Sequence, residues 1–235
     1  MNYFLALLFV FQFFCAAQAQ QLEVVTDHWP PFIVDTQPVS GTVTRKVRKI
    51  LDYAGLDYQI TLYPWARSYH LGMTKPNVLI YSIFRTKSRE PYFHWFCPVN
   101  EGVTVNLYKL KGNTRNIDSL AGVRQALIGV MRDDHNHSYL VQQGFIEGVN
   151  LDISADEQIN LRKLFNGRVD AVGLAQESLE HRLAMLGYSK DQVVQGMTLH
   201  IPAVTKHCMA LSLGSDQAII EKISAGFSRW LSEKK

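Results

Sequence analysis

Hydrophobic and polar positions alternate along the first part of the chain with periods that predict a strand, a helix and a second strand. Leu22–Thr26 and Tyr58–Leu62 are short runs with the composition of strands. Between them, Thr42–Ala54 places apolar residues at helical spacing with Arg and Lys in between, and Gly55 ends the pattern. The chain after residue 21 is therefore predicted to begin with a β–α–β unit.

Nearly continuous apolar runs further along the chain predict strands that are buried on both faces. These runs cover residues 77–83, 126–131 and 169–174. Helical spacing returns at residues 159–165 and 217–231. Because strands alternate with helices, the pattern predicts the α/β class with parallel sheets. A ligand is then expected beyond the carboxyl ends of the strands.

Residues 1–19 stand apart, because they are mostly apolar and contain no charged side chain. Their apolar block is too short to span a bilayer, which needs about 20 residues. The stretch ends in Ala17-Gln18-Ala19, the small-x-small pattern of a secretory cleavage site. A buried first helix or a membrane anchor is the alternative. We expect a signal peptide that is cleaved after Ala19, leaving 235 − 19 = 216 residues in an exported chain.

The composition is that of a globular protein with a substantial core. Hydrophobic residues make up 47% of the chain and aromatic residues 11%, which argues against disorder. The 24 basic and 21 acidic residues give a net charge of +3, so there is no strong basic field and nucleic-acid binding is not expected. Since only one long apolar stretch is present, a polytopic membrane protein is excluded.

Four motifs follow one another along the chain. They are TDHWPPF at 26–32, YPWAR at 63–67, SIFRTKSRE at 82–90 and LFNGRVDAV at 164–172. In this order they resemble the periplasmic solute-binding proteins of the amino-acid-binding type, often called family 3. The second motif is similar to a subgroup with a Pro-Trp-x-Arg helix start. The resemblance covers nearly all of the chain after residue 19.

The resemblance implies a two-lobed α/β fold of the periplasmic-binding-protein type (type II), with two hinge crossings and the ligand held between the lobes. The first lobe is expected over residues 20–99 and 209–235, and the second over residues 100–208. It further implies a protein of the periplasm.

Arg89 is the main candidate for ligand recognition. A guanidinium at the end of a strand presents a fork of donors that matches a carboxylate. The resemblance implies that Arg89 holds the ligand's carboxylate, helped by groups at Ser82 and Phe84. A structural ion pair with Glu90 or Asp27 is the alternative for this arginine.

Further candidates follow other predicted strands. Trp29, Phe32, Trp65 and Phe84 could form an aromatic wall, although core packing is preferred for Phe32. Arg67 could point to the cleft mouth or be a solvated helix-face arginine. We expect Asp27, Trp29, Ser82 and Arg89 on one wall of the cleft and the second lobe's polar residues opposite. The expected ligand-binding set is Asp27, Trp29, Trp65, Arg67, Ser82, Phe84, Arg89, Asp134 and His135.

The second lobe departs from the family's pattern. The resemblance implies an aspartate that pairs the ligand's ammonium after the strand containing Asp170-Ala171, but Ala175 occupies that position. Either Asp134 supplies the negative charge from another direction, or the ligand is not an ordinary α-amino acid.

Cys97 and Cys208 are the two cysteines that remain after residue 19. In an oxidising compartment they could form one disulfide or stay two separate buried thiols. The resemblance places both at the hinge crossings, which run side by side, and so implies a disulfide. The cluster at 133–137 has no recognised metal-ligand spacing, so neither a metal nor another cofactor is expected.

The expected function is capture of a small polar solute that bears a carboxylate, without chemistry, by a monomeric protein. The membrane partner would be the permease of an ABC transporter or a sensor. Two alternatives remain. An enzyme of the dehydratase type would need an acid–base group opposite Arg89, and Asp134, His135 and Glu177 are the candidates. A sensory or scaffold module would bind no solute.

Overall fold

Two five-stranded sheets organise residues 22–199 and 206–234, the part of the chain that the computed structural model describes. The expected signal peptide and its cleavage site after Ala19 lie outside the described residues. The α/β class predicted from the alternation of strands and helices is confirmed.

The first lobe is built on a sheet of order β2-β1-β3-β10-β4. Its helices are α1, α2 and α7, and a 3₁₀ turn, Glu90–Tyr92, precedes β4. The elements are β1 Leu22–Thr26, α1 Thr42–Ala54, β2 Tyr58–Leu62, α2 Trp65–Thr74, β3 Val78–Phe84, β4 Phe93–Asn100, β10 His207–Ser212 and α7 Gln217–Ser232.

The second lobe is built on a sheet of order β7-β6-β8-β5-β9. A 3₁₀ turn, Lys190–Gln192, precedes its last strand. The elements are β5 Val105–Leu110, α3 Leu120–Val123, β6 Ile128–Met131, α4 His135–Gln142, β7 Leu151–Ser154, α5 Glu157–Phe165, β8 Ala171–Ala175, α6 Gln176–Leu186 and β9 Val193–Thr198.

Helix α1 has the bounds that its hydrophobic spacing predicts. Its apolar face is buried in the core of the first lobe. The helix ends because Gly55 takes a left-handed conformation, with φ 60°, and donates its N–H to the carbonyls of Leu51 and Asp52. Gly226 of α7 packs directly against α1, since a Cβ at this position would lie 2.5 Å from the Ile50 carbonyl oxygen.

The sheets are mixed, and the expectation of parallel sheets was wrong. In the first sheet β10 is antiparallel to β3 and β4, and in the second β5 is antiparallel to β8 and β9. The reason is topological. The chain enters the second lobe through β5 and returns to the first lobe through β10, and these two strands run against the β–α–β strands of the sheets that they join.

The hinge region brings the ends of β4 and β10 together. Asn100 pairs with His207 and Cys208 pairs with Ile83, so Asn100, His207 and Cys208 are part of the first sheet, whereas the resemblance implied a second lobe of residues 100–208. Cys97 and Cys208 form a disulfide with their Cα atoms 4.6 Å apart. This bond links the two strands that carry the chain between the lobes.

No helix of the described ranges combines the length and apolar character needed to cross a membrane.

Candidate functional site

A cavity of about 50 Å³ lies between the two lobes, where the carboxyl ends of several strands meet. Both lobes contribute side chains, and many of them are polar although most are buried. The lining residues are Asp27, Trp29, Trp65, Ser82, Phe84, Arg89, Val105, Met131, Asp134, His135, Asn136, Glu157 and Ala175.

Ser82 reaches the cavity through a bulge in β3. Cys208 of β10 pairs with Ile83 and Met209 pairs with Tyr81, so Ser82 is an extra residue without a partner in this ladder. Its φ of 60° lies in the left-handed region, which is strained for a residue with a side chain. The bulge directs the Ser82 hydroxyl to the cavity that it lines.

Arg89 is buried, with only 4% of its surface exposed. Its guanidinium donates hydrogen bonds to the carbonyls of Phe84 (3.4 Å) and Asp133 (2.9 Å). It also lies 5.3 Å from the ring centre of Trp65 and 4.9 Å from that of Tyr69. The structural ion pair considered for Arg89 is not formed within the described residues, where Glu90 pairs with Arg85 instead. Arg89 is thus a buried cation beside the cavity.

The Asp133 carbonyl joins the two lobes. It accepts one hydrogen bond from Arg89 and a second from the Trp65 indole N–H at 2.8 Å, and both donors belong to the first lobe. Asp133 has φ 57°, so the turn between β6 and α4 is strained where it meets the first lobe. The two lobes are therefore in direct hydrogen-bonded contact at this turn.

Asp134 and His135 begin α4 on the second-lobe wall. The Asp134 carboxylate caps the helix by accepting the His137 N–H at 2.6 Å. Burial, helped by the carboxyls of Glu157 and Asp27, raises the pKa of Asp134 to about 8 against the opposing effects of the His137 N–H and Arg89. Burial, followed by the Glu157 carboxylate, also raises the pKa of Asp27 to about 7. Both carboxyl groups therefore titrate near neutral pH.

Glu157 and Arg182 form a buried ion pair near the cavity that the sequence analysis missed. Their closest N–O distance is 2.7 Å, and less than a tenth of either side chain is exposed. Arg182 also donates to the His28 carbonyl of the first lobe at 2.7 Å. Glu157 follows β7, a strand that the hydrophobic pattern did not reveal. The N-cap Asp156 directly before Glu157 was the available signal.

Several buried polar atoms of the cavity wall have no hydrogen-bond partner among the described residues. They come from both lobes and are neutral donors or acceptors. The atoms are Trp29 Nε1, Ser82 Oγ, His135 Nε2 and Asn136 Oδ1. An unpaired buried polar group costs about 1–3 kcal/mol, so four of them on one cavity indicate a place where a solute supplies the partners.

Aromatic rings close the cavity on the hinge side. The Phe84 ring centre lies 4.7 Å from that of His135 and 4.1 Å from that of His207, and Trp29 lies 4.8 Å from His207. Burial lowers the pKa of both histidines to about 3, so both are neutral at physiological pH. The predicted aromatic wall is present, and its members are Trp29, Trp65 and Phe84, with Phe32 packed behind Trp29.

Two sequence candidates lie outside the cavity. Arg67 is exposed, with its guanidinium 4.2 Å from the Tyr63 ring centre. It follows Trp65 by two residues on α2, which turns it about 200° away from the buried face. Glu177, the acid considered for an enzyme, is exposed on α6. The remaining members of the expected ligand set all line the cavity. No group of three or more metal-ligating side chains occurs in the described ranges.

A larger recess of about 770 Å³ lies on the other side of Arg89. It borders the disulfide and Lys206, where the described residues resume after residue 205. Of the four unpartnered polar atoms, only that of His135 belongs to a residue of this recess. The smaller cavity is therefore the better candidate site.

No family model matches the chain, and no curated protein matches it. Solved structures match it over nearly their whole length. A histidine kinase sensor domain with similarity to periplasmic binding proteins has a TM-score of 0.78 at 17% identity, covering 92% of each chain. An ancestral arginine-binding protein bound to arginine has a TM-score of 0.76 at 16% identity, covering 91% of this chain and 93% of the other. The arginine-, lysine-, histidine-binding protein ArtJ from Geobacillus stearothermophilus has a TM-score of 0.73 at 17% identity, covering 91% and 90%.

Sequence identities this low show a shared fold, but they do not show which ligand this chain binds. The shared feature is two α/β lobes with a cleft between them. The chain therefore has the two-lobed fold of periplasmic binding proteins, as the four sequence motifs predicted.

Proposed function

We propose that this protein is an extracytoplasmic binding protein that captures a small, amino-acid-like solute between its two lobes. The solute's carboxylate would lie against Arg89 and Ser82, and its positively charged group would lie on the side of Asp27 and Asp134. Closure around the solute would create the form that a membrane partner, either a permease or a sensor, recognises.

The observation that carries the proposal is the set of unpartnered polar atoms on the interlobe cavity. Trp29 and Ser82 belong to the first lobe, and His135 and Asn136 belong to the second. A solute that pairs with all four side chains contacts both lobes at once. Its binding free energy then favours the closed arrangement over any open one, which is the condition for a ligand to shift a conformational equilibrium.

The similar structures support this proposal in two respects. Two of them bind arginine or related amino acids according to their descriptions, and a third is a sensor domain. A binding protein and a sensor differ in the membrane partner rather than in the way the solute is held. The proposed way of holding the solute is therefore the same for a permease partner and for a sensor partner, and experiment must distinguish the two.

A lyase acting on a small carboxylate is the second candidate function. Asp134 favours it, because a carboxyl with a pKa of about 8 is protonated at neutral pH and lines the same cavity as Arg89. The two functions differ in what happens to the solute. Recovery of the bound compound unchanged after prolonged incubation, measured by NMR, supports binding alone, and its conversion supports the lyase.

A thermal-shift screen over amino acids, small peptides, polyamines and organic acids tests the proposal. A ligand at 100 times its Kd stabilises the protein by about 2.7 kcal/mol, which raises the Tm of a chain of this size by about 5–10 °C. We expect at least one solute to give such a shift in the native protein and a smaller one in Ser82→Gly. The matched control is Ser88→Gly, since Ser88 is exposed in the same region. The proposal fails if no solute shifts the Tm, or if Ser82→Gly responds like the native protein.

A further inference from the structure

One peptide group of the second lobe, that of Asp133, uses both its N–H and its carbonyl at the boundary between the lobes. The carbonyl accepts hydrogen bonds from Trp65 and Arg89 of the first lobe. The N–H donates to the Nδ1 atom of His137 at 3.1 Å. Because Trp65 and Arg89 line the interlobe cavity, an opening that separates the cavity walls breaks the two carbonyl bonds. His137 therefore holds the second-lobe side of this contact, although it does not line the cavity.

The partners of His137 determine which of its ring nitrogens carries the proton. A backbone N–H only donates, so Nδ1 accepts the Asp133 N–H and is unprotonated. Nε2 then carries the proton of the neutral ring and donates a hydrogen bond to the Glu147 carboxylate at 3.0 Å. His137 is buried, and the Glu147 side chain is half exposed. Glu147 thus favours the one tautomer of His137 that can hold the Asp133 peptide.

Asp133 depends on such neighbours because its backbone is strained. Its φ of 57° lies in the left-handed region, and a residue with a side chain stays there only when its surroundings enforce that conformation. The Asp133 side chain is exposed. The hydrogen bonds that hold the peptide come from His137 on one side and from Trp65 and Arg89 on the other. Loss of the His137 acceptor would therefore let the turn relax.

Helix capping does not account for the contact between His137 and Asp133. The N-cap of α4 is Asp134, which accepts the His137 N–H, as in one half of a capping box. In the other half, a Glu or Gln three residues after the N-cap accepts the backbone N–H of the N-cap itself. His137 occupies that third position but accepts the N–H of Asp133, one residue earlier. A glutamine here would complete an ordinary cap, whereas the histidine secures the residue that contacts the first lobe.

We propose that His137 is a positioning residue of the solute site, because it holds the Asp133 carbonyl in the orientation that binds Trp65 and Arg89. His137 touches no solute and acts only through the Asp133 peptide. The inference rests on the proposed function, since a solute held by both lobes leaves only when this contact opens. Without Nδ1 as acceptor, the Asp133 N–H loses its partner, the strained turn relaxes and the carbonyl moves away from its two donors.

Two NMR measurements that need no solute test this inference. Two-bond ¹H–¹⁵N correlation spectra give the tautomer of His137, whose signals are assigned by their loss in His137→Gln. The second measurement is the hydrogen exchange of the Trp65 indole N–H, which donates to the Asp133 carbonyl. The chain has four tryptophans, and Trp65→Phe assigns this signal. The exchange rate reports how often the contact between the lobes opens.

We expect an unprotonated Nδ1 in His137 and a protected indole N–H in Trp65. His137→Gln can still cap the helix but has no acceptor at the place of Nδ1, so the indole N–H should exchange about tenfold faster or more. His137→Asn puts its Oδ1 where Nδ1 lies and should restore an exchange rate close to the native one. The matched control is Leu164→Ala, since Leu164 is buried in α5 of the same lobe and its loss lowers stability without changing the turn.

Four outcomes overturn the inference. They are a proton on Nδ1 of His137, a Trp65 indole N–H that is unprotected in the native protein, equal exchange in the native protein and His137→Gln, and exchange in His137→Asn as fast as in His137→Gln. If Leu164→Ala speeds the exchange as much as His137→Gln does, the role of His137 is merely structural and the inference is also wrong.

Calorimetry with L-glutamine and L-arginine as probes separates this inference from the proposed function. If either probe binds the native protein, His137→Gln should weaken it about tenfold, and an unchanged affinity contradicts the inference while the proposed function stands. If neither probe binds and the wider solute screen is also negative, the proposed function fails. The tautomer and the exchange rates then still decide whether His137 holds the contact between the lobes.

Discussion

At the scale of single residues, Ser82 shows that this site is built at a cost to stability. Its backbone is held in the left-handed region and its buried hydroxyl has no partner among the described residues. Each feature is unfavourable in the protein without a solute, by about 1–3 kcal/mol. The left-handed backbone and the unpaired hydroxyl of Ser82 favour binding only when a solute accepts or donates the missing hydrogen bond.

Ser82→Gly is therefore expected to stabilise the solute-free protein while it weakens solute binding. Glycine adopts φ 60° without strain and removes the unpaired hydroxyl, and these gains exceed its entropic cost of about 0.5–1 kcal/mol. The free energy of unfolding in urea should rise by about 1 kcal/mol. Asn77→Gly is the control, because Asn77 has φ 57° but bonds Asp216 through its side chain, so this change should destabilise the protein. A loss of stability in Ser82→Gly would contradict the account.

Arg89→Lys should weaken solute binding by about 10- to 100-fold, the equivalent of the 1.5–3 kcal/mol of a charged hydrogen bond. Lysine keeps the charge but loses the planar fork, which donates to the carbonyls of Phe84 and Asp133 and, in the proposed complex, also to the solute's carboxylate. Arg85→Lys is the control, since Arg85 is half exposed and pairs with Glu90 at the surface. Calorimetry that finds equal affinities for the native protein and Arg89→Lys would remove Arg89 from the binding site.

The residues of the site were only partly predictable from the sequence. Arg89 and Ser82 lie in a motif with a specific spacing. Asp134 follows an apolar run that is long enough to be identified as a strand. Glu157 was hidden because β7 has only four residues, two of them polar, and gives no apolar run. Arg67 was misplaced because a motif specifies which residues occur and not which helix face they occupy.

At the scale of elements, the hydrophobic pattern located the strands and helices better than it gave their directions. α1 was predicted with its observed bounds, because its apolar spacing and Gly55 both act locally. The antiparallel direction of β5 and β10 could not be read from local pattern. The direction of each of these strands depends on which lobe the chain has just left. A strand that is buried on both faces has the same continuous apolar pattern in either direction.

The Cys97–Cys208 disulfide is an element-scale feature, since it joins the strands that enter and leave the second lobe. It closes a loop between residues 111 positions apart. The Cys97→Ala/Cys208→Ala double variant should lose about 4–5 kcal/mol of unfolding free energy on the chain-entropy model. Solute affinity should change little, because neither cysteine lines the interlobe cavity. A thiol titration that finds two free cysteines in the oxidised protein would contradict the pairing.

At the scale of the whole molecule, the buried ionisable groups set how stability depends on pH. His135 and His207 have pKa values lowered to about 3. Their contribution to the free energy of unfolding therefore increases as the pH rises from 3 to about 6.5, the pKa of histidine in the unfolded chain. Asp27 and Asp134 have pKa values raised to about 7 and 8, so the folded state binds more protons than the unfolded state above pH 4. Their contribution to stability falls as the pH rises through 7 and 8.

Below pH 6.5 the two histidines and the two aspartates change the stability in opposite directions as the pH rises. Above pH 6.5 only the two aspartates still change it. The urea midpoint of the solute-free protein should therefore fall between pH 6.5 and pH 8. Asp134→Asn should remove part of this fall, since its amide does not titrate. A midpoint that stays constant or rises over this interval, or an unaltered fall in Asp134→Asn, would contradict the assigned environment of the carboxyls.

The central claim of this account is that a solute is held by both lobes in the interlobe cavity. The most direct test is a crystal structure of the protein with the solute that gives the largest thermal shift. The account predicts electron density between Arg89 and Asp134, within hydrogen-bond distance of Ser82 and of Asn136, so that both lobes contact one molecule. A solute found in the larger recess beside Lys206, or on the surface of a single lobe, would contradict it.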